Sequence, residues 1–440
     1  MKRRPLAGLT CCALIASALA AGLAPQANAA EAGSLDRSFG NGGRKVTDFF
    51  GSRDQAHAVA IQDDGRIVVA GRATNPTITR TPLPALARYR RDGRLDRGFA
   101  YNGRLLLRSW GAGRANELAI QGDGKILVAG YSLSSDWVLA RLRQNGKLDR
   151  SFGENGSAHS PARPGLAYPK DIAIQPDGKI VVAGVGIDRD GHYLAIARYL
   201  RNGTPDPSFG VGGRVVTRFG IDTDVRGYGL AIQRDTKMVV SGESGGIWFV
   251  ARFLADGLVD SEFGDGGVEY TRSLAGQAKD VAIQPNGKIV AAGRDSGAGG
   301  IRFALARYLP DGAPDQSFGE AGAVRTTFEP GRPSDYGNSL ALQDDGRIVV
   351  AGTARSSYST PNPARFALAR YLPDGRLDRS FAGDGRKLTG FSPNQRSKHR
   401  DYGWDVATQA NGRILASGYT DPNGGSDNFA IARYLGSAKR

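Results

Sequence analysis

Four histidines, two cysteines and a scatter of carboxylates are the side chains of this sequence that could do chemistry. The histidines, His57, His159, His192 and His399, form no His-x-Glu, His-Glu-x-x-His or i,i+4 pair, so no zinc site is legible. Ser241 to Gly245 (SGESG) is only superficially a nucleophile elbow, because it ends a strand with no helix behind it. The glycines at Gly210, Gly212 and Gly213 do not open a helix, so they do not cradle a phosphate. The Asp-Gly pairs such as Asp64-Gly65 and Asp177-Gly178 lack the rest of a calcium loop and read as turns. Acid–base catalysis by two carboxylates remains open, with Glu243, Asp335 and Asp401 as its candidates. No cofactor and no metal are expected.

Both cysteines, Cys11 and Cys12, lie in a leader-like stretch. Lys2, Arg3 and Arg4 precede an apolar run from Leu6 to about Ala24, and Ala27-Asn28-Ala29 offers a cleavage pattern. Residues 1–29 are therefore expected to be a cleaved signal peptide, which places the protein outside the cell or in the periplasm or envelope. Removing three positive charges would take the net charge from +15 to +12 and leave no thiol for catalysis or metal binding. No later segment approaches the roughly 18 apolar residues of a membrane span.

What positions these residues is a repeat. A phenylalanine recurs at Phe39, Phe99, Phe152, Phe209, Phe263, Phe318 and Phe381, at spacings of 53 to 63 residues. A glutamine (Gln62, Gln121, Gln175, Gln233, Gln284, Gln343, Gln409) and an arginine (Arg88, Arg141, Arg198, Arg252, Arg307, Arg370, Arg433) also count seven. Within one unit, Asp280 to Gly293 reads as two short strands around the turn Pro285-Asn286-Gly287. Phe303 to Leu309 makes a third strand and Ala323 to Phe328 a fourth. No helical period appears. Strands such as Lys288 to Gly293 are apolar on both faces, so the sheets must cover one another. With 40% apolar and 23% charged residues, a packed core is possible and general disorder is excluded.

The expected fold is all-β: a single seven-bladed β-propeller of four-stranded antiparallel blades over residues 35–436, followed by a short basic tail at 437–440. The segment Leu35–Phe50 carries an orphan strand and the chain stops after Phe429–Leu435, so the N-terminal strand is expected to complete the last blade. An aspartate also counts seven, from Asp36 to Asp378, and a structural Arg–Asp or Arg–carbonyl contact is expected in every blade.

The run DVAIQPNGKIV, then FALARY, then segments such as LDRSFG resemble the delta-60 repeat family, a secreted and mainly bacterial class of β-propeller repeats. The resemblance covers essentially Leu35 to Leu435 and implies the fold. It implies no activity, because that family has no common function. The units are also distantly similar to NHL-type propellers, which mostly bind proteins, nucleic acid or glycans.

Recognition is expected where the repeats differ. One variable position in the first strand holds His57, Asn116, Lys170, Tyr228, Lys279, Asn338 and Trp404. If that strand is innermost, these seven ring one mouth of the central channel and bind the ligand. The loop between second and third strands varies too, and is long at Arg72–Pro84, Thr353–Arg365 and Tyr419–Asn428. Both zones map to one face. Trp404 falls at the mouth, Trp137 near a loop, and Trp110 and Trp248 read as buried. The positive charge, including Arg396–Arg400, suits an acidic glycan or cell-surface polymer. A protein partner is the next expectation, with nucleic acid less favoured, and a monomer is expected. The function read from the sequence is thus an exported, non-enzymatic binding propeller. The alternative is a secreted propeller glycoside hydrolase or lyase with a carboxylate acid and base at the channel mouth.

Overall fold

The computed structural model describes residues 31–77, 81–133, 135–159, 166–219, 224–331, 333–355, 363–392, 399–421 and 425–436. The expected signal segment 1–29 and the tail 437–440 lie outside the described residues, as do parts of the three long loops and residues 396–398 of the basic run.

Among the described residues there are 27 strands and one short 3-10 turn. Strand β1 (Arg44–Thr47) stands apart in sequence from its sheet. β2 (Asp54–Ile61), β3 (Ile67–Ala73), β4 (Leu83–Tyr89) and β5 (Arg104–Leu106) form one antiparallel sheet. β6 (Gly113–Ile120), β7 (Ile126–Ser132), β8 (Ser135–Leu142) and β9 (Ser157–His159) form the next. β10 (Leu166–Ile174), β11 (Ile180–Asp188), β12 (Gly191–Tyr199) and β13 (Arg214–Thr217) form the third. A seven-stranded sheet follows: β14 (Val225–Ile232), β15 (Met238–Ser244), β16 (Ile247–Phe253), β17 (Val268–Ile283), β18 (Ile289–Asp295), β19 (Arg302–Tyr308) and β20 (Ala323–Thr326). β21 (Tyr336–Leu342), β22 (Ile348–Ala354), β23 (Arg365–Tyr371) and β24 (Arg386–Thr389) make another sheet. In the last, β25 (Arg400–Thr408), β26 (Ile414–Asp421) and β27 (Asn428–Tyr434) are joined by β1, with Arg44 opposite Ala432 and Thr47 opposite Phe429.

The seven-stranded sheet corrects the expectation of separate four-stranded units. β17 is 16 residues long, so it is the fourth strand of one repeat and the first of the next. Elsewhere that connection turns through residues such as Glu329-Pro330-Gly331. Between Val268 and Ile283 the chain continues as one strand without such a turn.

Each pair of neighbouring repeats shares an apolar core. Val68 and Leu86 pack with Leu118 and Val128, and Leu415 and Phe429 of the last sheet pack with Val59 and Val69 of the first. The recurring arginine, aspartate and phenylalanine form one device. In all seven repeats the arginine lies 2.6–3.0 Å from its aspartate, as in Arg252–Asp260 and Arg433–Asp36. The same guanidinium lies 4.5–4.7 Å over the recurring phenylalanine. Its third contact leaves the repeat: Arg141 donates to the Arg201 carbonyl, Arg252 to that of Pro310 and Arg433 to that of Arg91, each at 2.5 Å. These charges are buried and paired, and they stitch one repeat to the next.

Candidate channel-mouth site

The first strand of every repeat carries a β-bulge. Register breaks between Ala56 and Ala58, Ala115 and Glu117, Pro169 and Asp171, Gly227 and Gly229, Ala278 and Asp280, Gly337 and Ser339, and Gly403 and Asp405. The skipped residue is in each case the variable one: His57, Asn116, Lys170, Tyr228, Lys279, Asn338 and Trp404. A bulged residue leaves the ladder and its side chain is re-aimed. All seven line one cavity of about 290 Å³. The face expectation also holds in register, since Asp54 at the start of β2 lies opposite Ala73, where the variable loop begins.

The seven are not equivalent. Asn116 and Asn338 donate their amides to the carbonyls of Pro169 and Gly403 in the next repeat, at 2.6 and 2.8 Å, and so act as braces. The Tyr228 hydroxyl donates to Glu243 Oε1 at 2.7 Å, and Gln277 donates to the same oxygen. Lys279 Nζ sits 3.8 Å from the centre of the Tyr228 ring. His57 meets Trp404 edge-on at 5.2 Å between centroids. Trp404 is 37% exposed and keeps surface for a ligand, whereas Trp110, Trp137 and Trp248 are buried.

Neither Lys170 nor Lys279 has a carboxylate or hydrogen-bond acceptor among the described residues. Burial pushes the Lys279 ammonium down to about 7, helped by the charges of Arg294 and Lys170. Burial and the Arg114 charge bring Lys170 to about 8. Burial likewise holds the His57 imidazole neutral, well below its usual range, and its Nε2 has no partner.

One residue further along the strands lies a set that sequence reasoning missed. Glu117, Asp171, Asp280 and Asp405 line the same cavity beneath the lysines. The Leu230 N–H donates to Asp171 at 2.6 Å, Leu340 N–H to Asp280 at 2.7 Å, and Val59 N–H to Asp405 at 2.6 Å. Three carboxylates thereby satisfy backbone groups of the following repeat. Burial raises all four, and the Asp405 and Asp171 charges add to the rise at Glu117. Their signal was an acid inside an otherwise apolar strand, which is costly unless bonded.

The three carboxylates considered for catalysis lie elsewhere. Asp335 and Asp401 accept the backbone N–H groups of Phe328 and Phe391, each at 3.0 Å, and so fix the connections between repeats. Glu243 is tied up by Tyr228, Gln277 and Arg226. No group of three His, Cys, Asp or Glu side chains suited to a metal occurs among the described residues. Nor does any helix there have the length and apolarity to cross a membrane.

Six segments, 62–99, 121–152, 175–209, 284–318, 343–381 and 409–436, match the model of a domain of unknown function, the DUF5122 beta-propeller. The chain is built of β-propeller repeats. The delta-60 name itself receives no separate support from the match. The one repeat outside it, Gln233–Phe263, replaces the glycine of the first turn with Thr236. No curated protein shows a significant match to the sequence. Among solved structures, the propeller is similar to virginiamycin B lyase from Staphylococcus aureus, at 9% identity over 88% of this chain and 98% of that one, with a TM-score of 0.46. It is similar to the PQQ-bound aldose sugar dehydrogenase of Streptomyces coelicolor at 15% identity, covering 78% and 96%, with a TM-score of 0.40. It is also similar to Chaetomium thermophilum Sqt1 at 10% identity, covering 92% and 98%, with a TM-score of 0.47.

Proposed function

We propose that this is an exported, non-enzymatic binding propeller that recognises a glycan or other cell-surface polymer at its channel mouth. In this reading residues 1–29 are a cleaved signal and 35–436 form seven blades, with β17 shared by two of them. The β1–β27 ladder, the Arg433–Asp36 pair and the Asp405–Val59 bond support a ring closed between first and last blades.

The observation that carries the binding function is a single cavity holding two ammonium groups without acceptors beside an exposed tryptophan. A half-buried ammonium without an acceptor is costly and is retained where a ligand supplies the counter-charge. Lys170, Lys279, His57 and Trp404 are the binding set, with Tyr228 as the wall under Lys279.

The test is a pull-down by residues 30–440 against envelope polysaccharides, envelope proteins and DNA at low and high salt. The triple variant His57→Ala/Lys279→Ala/Trp404→Ala is run beside it. Retention that survives salt and is lost in the variant supports recognition at the mouth. Retention lost in salt by both proteins alike overturns it in favour of bulk charge. A hydrolase or lyase is the second reading, favoured by Glu117, whose raised carboxyl has the character of a general acid. A shortened polymer in the same assay, abolished by Glu117→Gln, would establish it.

A further inference from the structure

We propose that the channel mouth holds the carboxylate of an acidic sugar, a hexuronate at the end or on a branch of a polymer, between Lys170 and Lys279. This rests on the reading of the mouth as a glycan site and names the class of glycan.

Two observations point to one small anionic group. Lys170 and Lys279 both line the cavity and have no acceptor among the described residues. His57 lines the same cavity as a neutral imidazole, so it brings no charge of its own and backs the Trp404 ring. While the acids Glu117, Asp171, Asp280 and Asp405 line the same cavity, the charges acting on the lysines are mostly positive, with Arg294, Lys170 and Arg226 acting on Lys279 against Glu243, and Arg114 and Arg226 on Lys170. An anion settling among them relieves repulsion that the protein alone leaves in place.

The layer beneath selects the kind of anion. Glu117, Asp171, Asp280 and Asp405 form the floor of the cavity. A dianion such as a phosphate monoester meets these acids at close range, whereas a monoanion has one charge to place and two lysines to place it on. The cavity of about 290 Å³ lies at the small end of ligand pockets, roughly 300–1,000 Å³, and suits one ring rather than a length of chain. Trp404, held edge-on by His57, leaves an aromatic surface at the rim for the apolar face of a pyranose.

Binding then has a proton signature. A carboxylate beside Lys279 and Lys170 raises both from about 7 and about 8, so the complex takes up protons near pH 7.5. Affinity is greatest below pH 7 and falls as pH rises from 7 to 9. Calorimetry of the protein with sodium glucuronate and galacturonate, in PIPES and in Tris at pH 7.5, reads this directly. Glucose, methyl glucuronate ester and inorganic phosphate are the comparison probes. The expected result is uronate binding with buffer-dependent heat, and at least tenfold weaker binding of the ester and of phosphate. Lys279→Met and Lys170→Met are each expected to weaken uronate about tenfold, while Lys279→Arg keeps the affinity but loses the Lys279 share of the proton uptake, leaving only that of Lys170. Melting curves of all three variants show whether the fold is retained, and the arginine variant carries the test if the methionine variants unfold. Glucose binding equal to that of glucuronate would overturn the acidic class while leaving the glycan reading intact. Phosphate binding equal to that of uronate would overturn the monoanion selection. Failure of every sugar, together with loss of polymer retention, would overturn both.

Discussion

Thr236 holds φ at 69° in a turn where the other repeats place glycine, as at Gly178 and Gly287. A β-branched residue there is strained by roughly 1–2 kcal/mol, partly offset by the freedom glycine brings to the unfolded chain. Thr236→Gly is therefore expected to stabilise the protein by up to about 1 kcal/mol, read as a higher urea midpoint. Asp54 behaves differently. Burial raises its carboxyl to about 7 while it accepts the Phe49 N–H at 2.7 Å. Between pH 4 and 7 the native state holds a proton that the unfolded chain has released, so this group lowers stability as pH rises through that window. Asp54→Asn keeps an acceptor oxygen and is expected to flatten that slope in denaturant titrations. The ion-paired aspartates have the opposite sign. Asp206, lowered to about 2 by Ser208, Arg198 and Lys179 against its burial, contributes stability above pH 4 that disappears as pH falls toward 2.

At the scale of strands, the bulge explains a residue that recurs for no chemical reason. The glycine closing each second strand lies across from the bulge, where a Cβ at Gly352 would stand 1.8 Å from the Tyr336 carbonyl oxygen, and one at Gly71 would stand 1.9 Å from that of Gln55. Gly352→Ala is expected to cost about 1–3 kcal/mol, because backbone rather than a flexible side chain must give way. Thermal melting checks the direction. The strands, their turns and the seven variable positions that line one cavity were legible in the sequence because period, turn chemistry and variability each leave a mark. The bulge was not, since one extra residue hardly disturbs a run that is apolar on both faces. Without the bulge, Asn116 and Asn338 could not be separated from Lys170 and Lys279, and Glu117, Asp171, Asp280 and Asp405 were not singled out. The unbroken β17 was hidden for a similar reason: Thr271 to Gln277 has the composition of a loop.

At the scale of the molecule, residues far apart in sequence carry the junction of the two chain ends. Asp36 pairs with Arg433, Leu435 N–H donates to the Ser34 carbonyl at 2.9 Å, and β1 covers the edge of β27. Deleting residues 31–50 leaves a buried arginine without its carboxylate and exposes an edge strand. Loss of one partner of a buried pair costs about 3–5 kcal/mol, so the deletion is expected to melt early and to self-associate on size-exclusion chromatography. The junction also has a mechanical meaning. Because β1 and β27 are antiparallel and the two ends emerge side by side, tension between attachments at either terminus enters at Gly33 and Leu435. It peels the ladder one bonded pair at a time instead of shearing all of them together, and the other sheets bear no load until that zipper has opened.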